Sequence, residues 1–217
     1  MALYSPSQKI CFVHIYKTGG MSVRKVMHSL FPDYVEVGEH HCTALEARIA
    51  LLEKFPLVND SAVSFFAFVR NPFSWMVSLY SFSRQTKDHP DYQFCQNNSF
   101  ENYVRYFIEK MHAGSRNGNG QYSTQSSFLK DRYGNIDSRI CIGSQENFEV
   151  DLFSFLNGVD CKIDYYKIFF PFENVSDHMT KIDQYYSETT IALMQKHFQE
   201  DFFNFHYEPY PPTSQYK

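Results

Sequence analysis

Lys17, Thr18, Gly19, Gly20, Met21 and Ser22 stand together where one pattern of apolar residues gives way to another. Residues 10–15 form a short, largely apolar run, as a buried strand requires. Val23, Val26, Met27 and Leu30 recur at i, i+3, i+4 and i+7, one face of a helix. The junction therefore reads as strand, turn, helix. Two glycines let the backbone turn sharply and come close to a ligand. The unpaired N–H groups of the new helix and its dipole favour an anion at the same place. With Lys17 as a mobile cation and Ser22 as a hydroxyl, these are the parts of a phosphate cradle. The same residues also suit a plain tight turn with a surface lysine, and the stretch alone does not separate the two. The phosphate loop of nucleotide hydrolases places its lysine after the last glycine, whereas Lys17 precedes both.

A second junction carries a second cation. Residues 65–69 are again strand-like, and Arg70 follows them directly. Asn71 is a suitable N-cap and Pro72 a suitable first helical residue. Phe73, Met76, Val77 and Tyr80 then share a face. Arg70 thus sits where a strand ends and a helix begins, a favoured ligand position in open α/β sheets. Ser78 lies about two turns along that helix.

The run from His14 to Arg24, HIYKTGGMSVR, resembles the 5′-phosphosulfate loop of carbohydrate-type sulfotransferases, which reads like HIPKTGGTS. FVRNPFSWMVSLYSF, beginning at Phe68, resembles their 3′-phosphate segment, close to FVRNPxxRxxSxY. Further echoes run from His41 to Ala44, from Ile142 to Asn147, and from Tyr185 and Tyr186 through Asp201 and Phe202 to Tyr207. Tyr16 departs from the family's proline, Met21 from its threonine and Trp75 from its frequent arginine. The resemblance implies a nucleotide-kinase-like P-loop sulfotransferase fold and a donor, 3′-phosphoadenosine-5′-phosphosulfate (PAPS), that leaves as PAP. It also implies nucleotide binding by Lys17, Thr18, Gly19, Gly20, Met21, Ser22, Arg70 and Ser78, with Lys17 and His41 as the catalytic pair. The acceptor would be a hydroxyl, less readily an amine, of a carbohydrate or small natural product. Two competing readings are a P-loop kinase or nucleotide hydrolase, which the lysine's position disfavours, and a member that binds nucleotide without turnover.

His41 also has a reading from its own surroundings. Thr43 and Glu46 have the spacing of a capping box, so a histidine just ahead of them meets the positive end of a helix dipole. That disfavours imidazolium, and a neutral imidazole is what a general base requires. His40 is the alternative base, and one of the two could instead cap or pack. Leu45, Ile49 and Leu52 are expected to be the buried face of this helix.

At 217 residues with 43% hydrophobic and 18% aromatic residues, the chain is expected to fold as one domain, 1–217. The aromatic excess suits either a ring-lined acceptor pocket or simply a core. A net charge of −4 argues against a nucleic-acid partner. Five scattered cysteines without a CxxC pair fit reduced thiols, with Cys11 and Cys141 in core strands. No run approaches membrane-spanning length, so no membrane contact and a cytoplasmic location are expected, and three N-x-[ST] sequons are read as chance. No cluster has metal-ligand spacing.

The remaining chain alternates strand and helix signals. Residues 34–38 and 139–143 read as strands. Helices are expected over 99–111, from Glu146 to a stop at Gly158, and from Ser187 to about Phe203. Residues 159–186 read as irregular but aromatic, and the tail from Tyr207 as extended. Residues 112–127, rich in Gly, Asn and Ser, read as a mobile loop, either a lid or plain surface, with Arg116, Tyr122 and Gln125 as candidate ligand contacts. Strands alternating with amphipathic helices predict an α/β fold with a mostly parallel central sheet flanked by helices.

Overall fold

The structure is a computed structural model that describes residues 1–117, 120–159 and 182–212. In chain order the elements are β1 (Ala2–Ser5), β2 (Ile10–Val13), α1 (Gly20–Leu30), β3 (Val35–Val37), α2 (Ala44–Lys54), β4 (Ser64–Val69) and α3 (Pro72–Gln85). Then follow α4 (Tyr92–Asn97), α5 (Phe100–His112), β5 (Arg116–Asn117), β6 (Gly120–Gln121), α6 (Gln125–Phe128), β7 (Ile140–Ser144), α7 (Phe148–Gly158), α8 (Glu188–His197) and α9 (Gln199–Asn204). The chain forms two compact units, Met1–Val69 with Ser127–Asn174, and Arg70–Ser126 with Val175–Lys217.

The first unit is an α/β sheet structure. Among the described residues its strands run in the order β3-β1-β2-β4-β7. β2, β4 and β7 are parallel, with Phe12 opposite Phe66 and Phe66 opposite Cys141. β1 lies antiparallel to both β2 and β3, so the sheet is mixed, and its parallel part contains the strands that feed both motifs. β1 carries no alternation long enough to be read from sequence. On one face Phe12, Phe66 and Phe68 pack against Val23, Val26 and Met27 of α1 and Leu152, Phe155 and Leu156 of α7. Each such aromatic contributes roughly 1.5–3 kcal/mol by leaving water.

α2 buries a different face from the one its apolar pattern indicates. Leu45, Ile49 and Leu52 are exposed, while Ala44, Ala47, Arg48 and Leu51 are buried. The reason is Arg48. Its guanidinium lies 4.0 Å from the centre of the Phe65 ring, donates to Asp60 at 2.7 Å and sits 3.3 Å from the Asp137 carboxylate. A buried charge must be paired, and small alanines on the same stripe let the helix approach closely enough to pair it.

The second unit is helical, with an aromatic core. Trp75 of α3 is fully buried, with its ring edge-on to Phe107 of α5 and to Phe198. Phe73 packs on Tyr186 and Phe202, and Tyr80 on Phe100 and Tyr103. The segment 112–127 is not a plain loop, since β5 pairs antiparallel with β6 and α6 opens at Gln125. The last helix is two, α8 and α9, interrupted at Phe198. Gly158 ends α7 from within, and Val159 caps it. Cys11 is buried as expected, but Cys141 is exposed on β7, the last strand of the sheet among the described residues. Of the irregular stretch expected over 159–186, residues 160–181 lie outside the described residues, as does Cys161. No helix among the described residues is long and apolar enough to cross a membrane.

Candidate active site

In the first unit the chain leaves β2 at Val13 and turns through residues 14–19 into α1. Two residues of this turn are left-handed: Gly19 with φ 87°, and Lys17 with φ 63°. Glycine adopts that conformation freely, but for a lysine it costs about 1–2 kcal/mol. Strain of this kind persists only where the surrounding structure enforces it. Thr18 is fully buried and its hydroxyl donates to the Ile15 carbonyl at 2.8 Å, so its side chain braces the turn and leaves only its main chain to face a ligand.

Gly19 is the N-cap of α1 and supplies no side-chain cap. The first intrahelical bonds run from the Ser22 and Val23 N–H groups to the Gly19 carbonyl, at 3.0 and 3.2 Å. The N–H groups of Gly20 and Met21 precede them and have no partner within the helix. The Met21 side chain points outward, 51% exposed. Lys17 and Ser22 are half-buried. A turn that ends in uncapped amides beside a lysine can hold an anionic oxygen group.

His14 fixes the other side of this turn. A Cβ on Gly20 would stand 1.8 Å from His14 Nε2, so the imidazole is pressed against the first residue of α1. Its ring is stacked on Phe12 at 5.6 Å and meets the edge of His41 at 4.6 Å. Burial first, then the neighbouring His41, hold His14 well below the usual histidine range.

His41 is buried, with φ 49°, another left-handed residue that is not glycine. Its Nδ1 lies 3.0 Å from the His14 carbonyl oxygen. A carbonyl accepts only, so Nδ1 carries the proton and Nε2 keeps its lone pair. Burial lowers its pKa to about 4, against the raising effect of that hydrogen bond. Behind it Thr43 and Glu46 close the capping box, Thr43 N–H to Glu46 Oε2 at 2.7 Å and Glu46 N–H to Thr43 Oγ1 at 3.2 Å. His40, by contrast, is exposed. Tyr16, where the resemblance puts proline, places its ring edge-on to His41 at 5.4 Å and to Phe128 at 5.5 Å. His14, Tyr16 and His41 thus form one aromatic cluster beside the turn.

In the second unit Arg70 is 5% exposed. Its backbone is held on both sides by one side chain: the Arg70 N–H donates to Gln125 Oε1 at 2.8 Å, and Gln125 Nε2 donates to the Arg70 carbonyl at 2.8 Å. Gln125 is itself fixed by Asp201, whose carboxylate accepts the N–H groups of Gln125 and Ser126 at 2.9 and 2.7 Å. Burial raises the Asp201 pKa to about 6, against the lowering effect of those bonds. Gln125 is therefore a positioning residue for Arg70. Tyr122 is buried with its hydroxyl bonded to Asp91, and Arg116 is exposed. Asn71 caps α3 through Phe73 and Ser74 N–H groups, and Ser78 follows half-buried along that helix. Trp75, in the frequent arginine position, belongs to the core and brings no cation.

No family model matches the chain, and no curated protein matches it by sequence. Among solved structures, a mouse sulfotransferase, SULT7A1, complexed with PAP is similar over 88% of this chain and 67% of its own, with 13% identity and a TM-score of 0.45. At those values it is a likeness and no more.

Sequence reasoning missed His14 as a structural partner of Gly20, and it placed Asp201 in a motif without its role as the acceptor for Gln125 and Ser126. A histidine in an apolar run beside a Gly-Gly pair was a usable signal for the first. Nothing local marks the pairing of Asp201 with Gln125, 76 residues away.

Proposed function

We propose that this chain is a sulfotransferase that moves a sulfuryl group from PAPS to an acceptor hydroxyl, and that residues 1–217 form its one catalytic domain. The observation that carries the reading is the turn from Lys17 to Ser22, with its uncapped amides, strained lysine and adjacent His41 of fixed tautomer. The two sequence motifs supply the kind of anion: a 5′-phosphosulfate for the turn and a 3′-phosphate for Arg70 and Ser78.

When bound, the nucleotide supplies a sulfuryl group on a phosphate leaving group. The residues of the chain position it and manage charge, as in phosphoryl transfer. Lys17 offsets the charge that develops on the departing 5′-phosphate. The Gly20 and Met21 N–H groups and the Ser22 hydroxyl would hold the phosphosulfate. His41 Nε2 takes the acceptor proton while Nδ1 stays bonded to the His14 carbonyl, which keeps the ring in place through the step. Gln125 and Asp201 hold the backbone of Arg70 for the 3′-phosphate. An exposed Met21 in place of threonine removes one hydroxyl from the cradle and leaves its N–H. The acceptor class favoured is a carbohydrate or small hydroxylated molecule. A reducing, cytoplasmic setting suits the free thiols of Cys11, Cys42, Cys95 and Cys141.

The donor assignment is tested by calorimetric titration with PAP, its analogue lacking the 3′-phosphate, and ATP with magnesium. PAP should bind tightest, and removing its 3′-phosphate should weaken binding at least about tenfold, the scale of one charge-assisted contact. Preference for ATP would favour the kinase or hydrolase reading.

A further inference from the structure

Outside this site, two histidines meet at the ends of two helices in the second unit. His112 is the last residue of α5 and His197 the last of α8. His112 Nε2 and His197 Nδ1 are 3.1 Å apart, with ring centroids at 5.0 Å and an interplanar angle of 75°. The helices also meet at their starts, where Glu101 accepts from Ser187 Oγ at 3.0 Å and from Thr190 Oγ1 at 3.4 Å. Starts beside starts and ends beside ends make the pair parallel. Both negative dipole ends therefore converge on the two imidazoles, each equivalent to about half an elementary charge. Glu101 places an anion at the shared N-terminal end. The C-terminal end has the complementary preference, for a cation.

We propose that His112 and His197 together bind one divalent late first-row transition cation, such as Zn²⁺, Ni²⁺ or Cu²⁺, in a bidentate site that clips α5 to α8. Imidazole suits these metals, and either ring nitrogen can serve. With bonds of about 2.0–2.1 Å, two cis nitrogens on one metal stand roughly 2.9–3.4 Å apart for angles between square and tetrahedral. The gap of 3.1 Å falls inside that window, and the two rings turn so that both lone pairs converge on the metal. Ligation needs both facing nitrogens as lone pairs, so the hydrogen that now bridges them moves to the far nitrogen of its own ring.

Among the described residues no group of three or more His, Cys, Asp or Glu gathers as a metal site, so the proposed site rests on these two imidazoles. His112 is exposed and His197 half-buried, which gives the metal a path in. Lys196 adjoins His197 and opposes binding by its charge, but it is exposed and screened by salt. Lys110 is turned to the ring of Tyr106, 5.3 Å from its centre. The site is independent of the sulfuryl-transfer reading, because no residue is shared.

The test is calorimetric titration of the full, untagged chain with Zn²⁺ and with Ni²⁺, in parallel with thermal unfolding. The wild type should show one saturable site per chain and, at about a hundred times Kd, a Tm raised by about 5–10 °C. His112→Ala and His197→Gln should each weaken that site at least about tenfold and remove the Tm shift, while circular dichroism shows both variants folded. Lys196→Gln should tighten it. Cys141 is an exposed thiol, so Cys141→Ser is the control. Binding unchanged in the histidine variants, binding lost in Cys141→Ser, or no saturable binding in the wild type would each overturn the proposal.

Discussion

Replacing Gly20 by alanine sets two physical effects of opposite sign against each other. Gly20 is the first residue of α1, and alanine is favoured over glycine in a helix by up to about 1 kcal/mol. Propensity alone predicts a gain. The structure predicts a loss, because the new methyl carbon would lie 1.8 Å from His14 Nε2, 2.0 Å from Cδ2 and 2.6 Å from Cε1. Optimal carbon contacts begin near 3.5 Å, so ring and helix must separate by roughly 1.5–2 Å. The ring has little room to yield, with Phe12 stacked on it and the edge of His41 against it. Overpacking of this kind costs about 1–3 kcal/mol, and the net effect should be destabilising within that range. Urea unfolding with an unchanged m-value measures it. The decisive form is a double-mutant cycle. In a His14→Ala background the obstruction is gone, so Gly20→Ala should become neutral or stabilising, with a coupling of about 1–3 kcal/mol. A stabilised single variant, or the same effect in both backgrounds, would refute the fit of His14 against the helix start.

Lys17→Ala should lower kcat by about 10²–10³ while nucleotide affinity changes little, because the lysine opposes charge that grows only in the transition state; equal turnover would remove it from that role. Arg70→Ala should weaken PAP selectively over its analogue lacking the 3′-phosphate. Gln125→Ala, which cuts both bonds to the Arg70 backbone, should lose part of the same selectivity, and a loss spread equally over both nucleotides would mean Arg70 is misassigned. His41→Ala should lower transfer by roughly 10²–10⁴ with nucleotide binding intact, whereas His40→Ala should be mild; the reverse pattern would move the base to His40. Burial holds the His41 pKa at about 4 against 6.5 in the unfolded chain. The unfolded state therefore binds the proton first, and the His41 contribution to stability falls as pH drops from about 6.5 to about 4. His41→Gln should flatten that part of the stability profile, and an unchanged profile would show that His41 is not buried in neutral form.

Features set by local chemistry could be read before the fold was known. The Gly19-Gly20 pair after an apolar run marked the strand-to-helix turn, Asn71-Pro72 the start of α3, and Thr43 with Glu46 the capping box. Features set by distant partners could not. The pattern Leu45, Ile49, Leu52 is a sound helical stripe, yet α2 turns it outward because Arg48 finds Asp60 and Asp137 beneath Phe65. Cys141 sits in an apolar run, yet it is exposed while its neighbour Ile140 is buried. The break at Phe198 divides a periodic stretch that reads as one helix. Within the candidate site, Lys17 and His41 were legible as residue types in a context. Their left-handed backbones were not, because nothing in the sequence demands positive φ of a lysine or a histidine. The clasp of Gln125 on Arg70 joins residues 55 apart, a pairing only the fold creates.

Sulfuryl transfer itself can be followed by incubating the chain with PAPS labelled in its sulfuryl group and a panel of carbohydrate and small hydroxylated acceptors. Label should appear on an acceptor hydroxyl with PAP in equal amount, and both should be lost in Lys17→Ala and His41→Ala. PAPS bound without turnover on any acceptor, or phosphoryl transfer from ATP in its place, would contradict it.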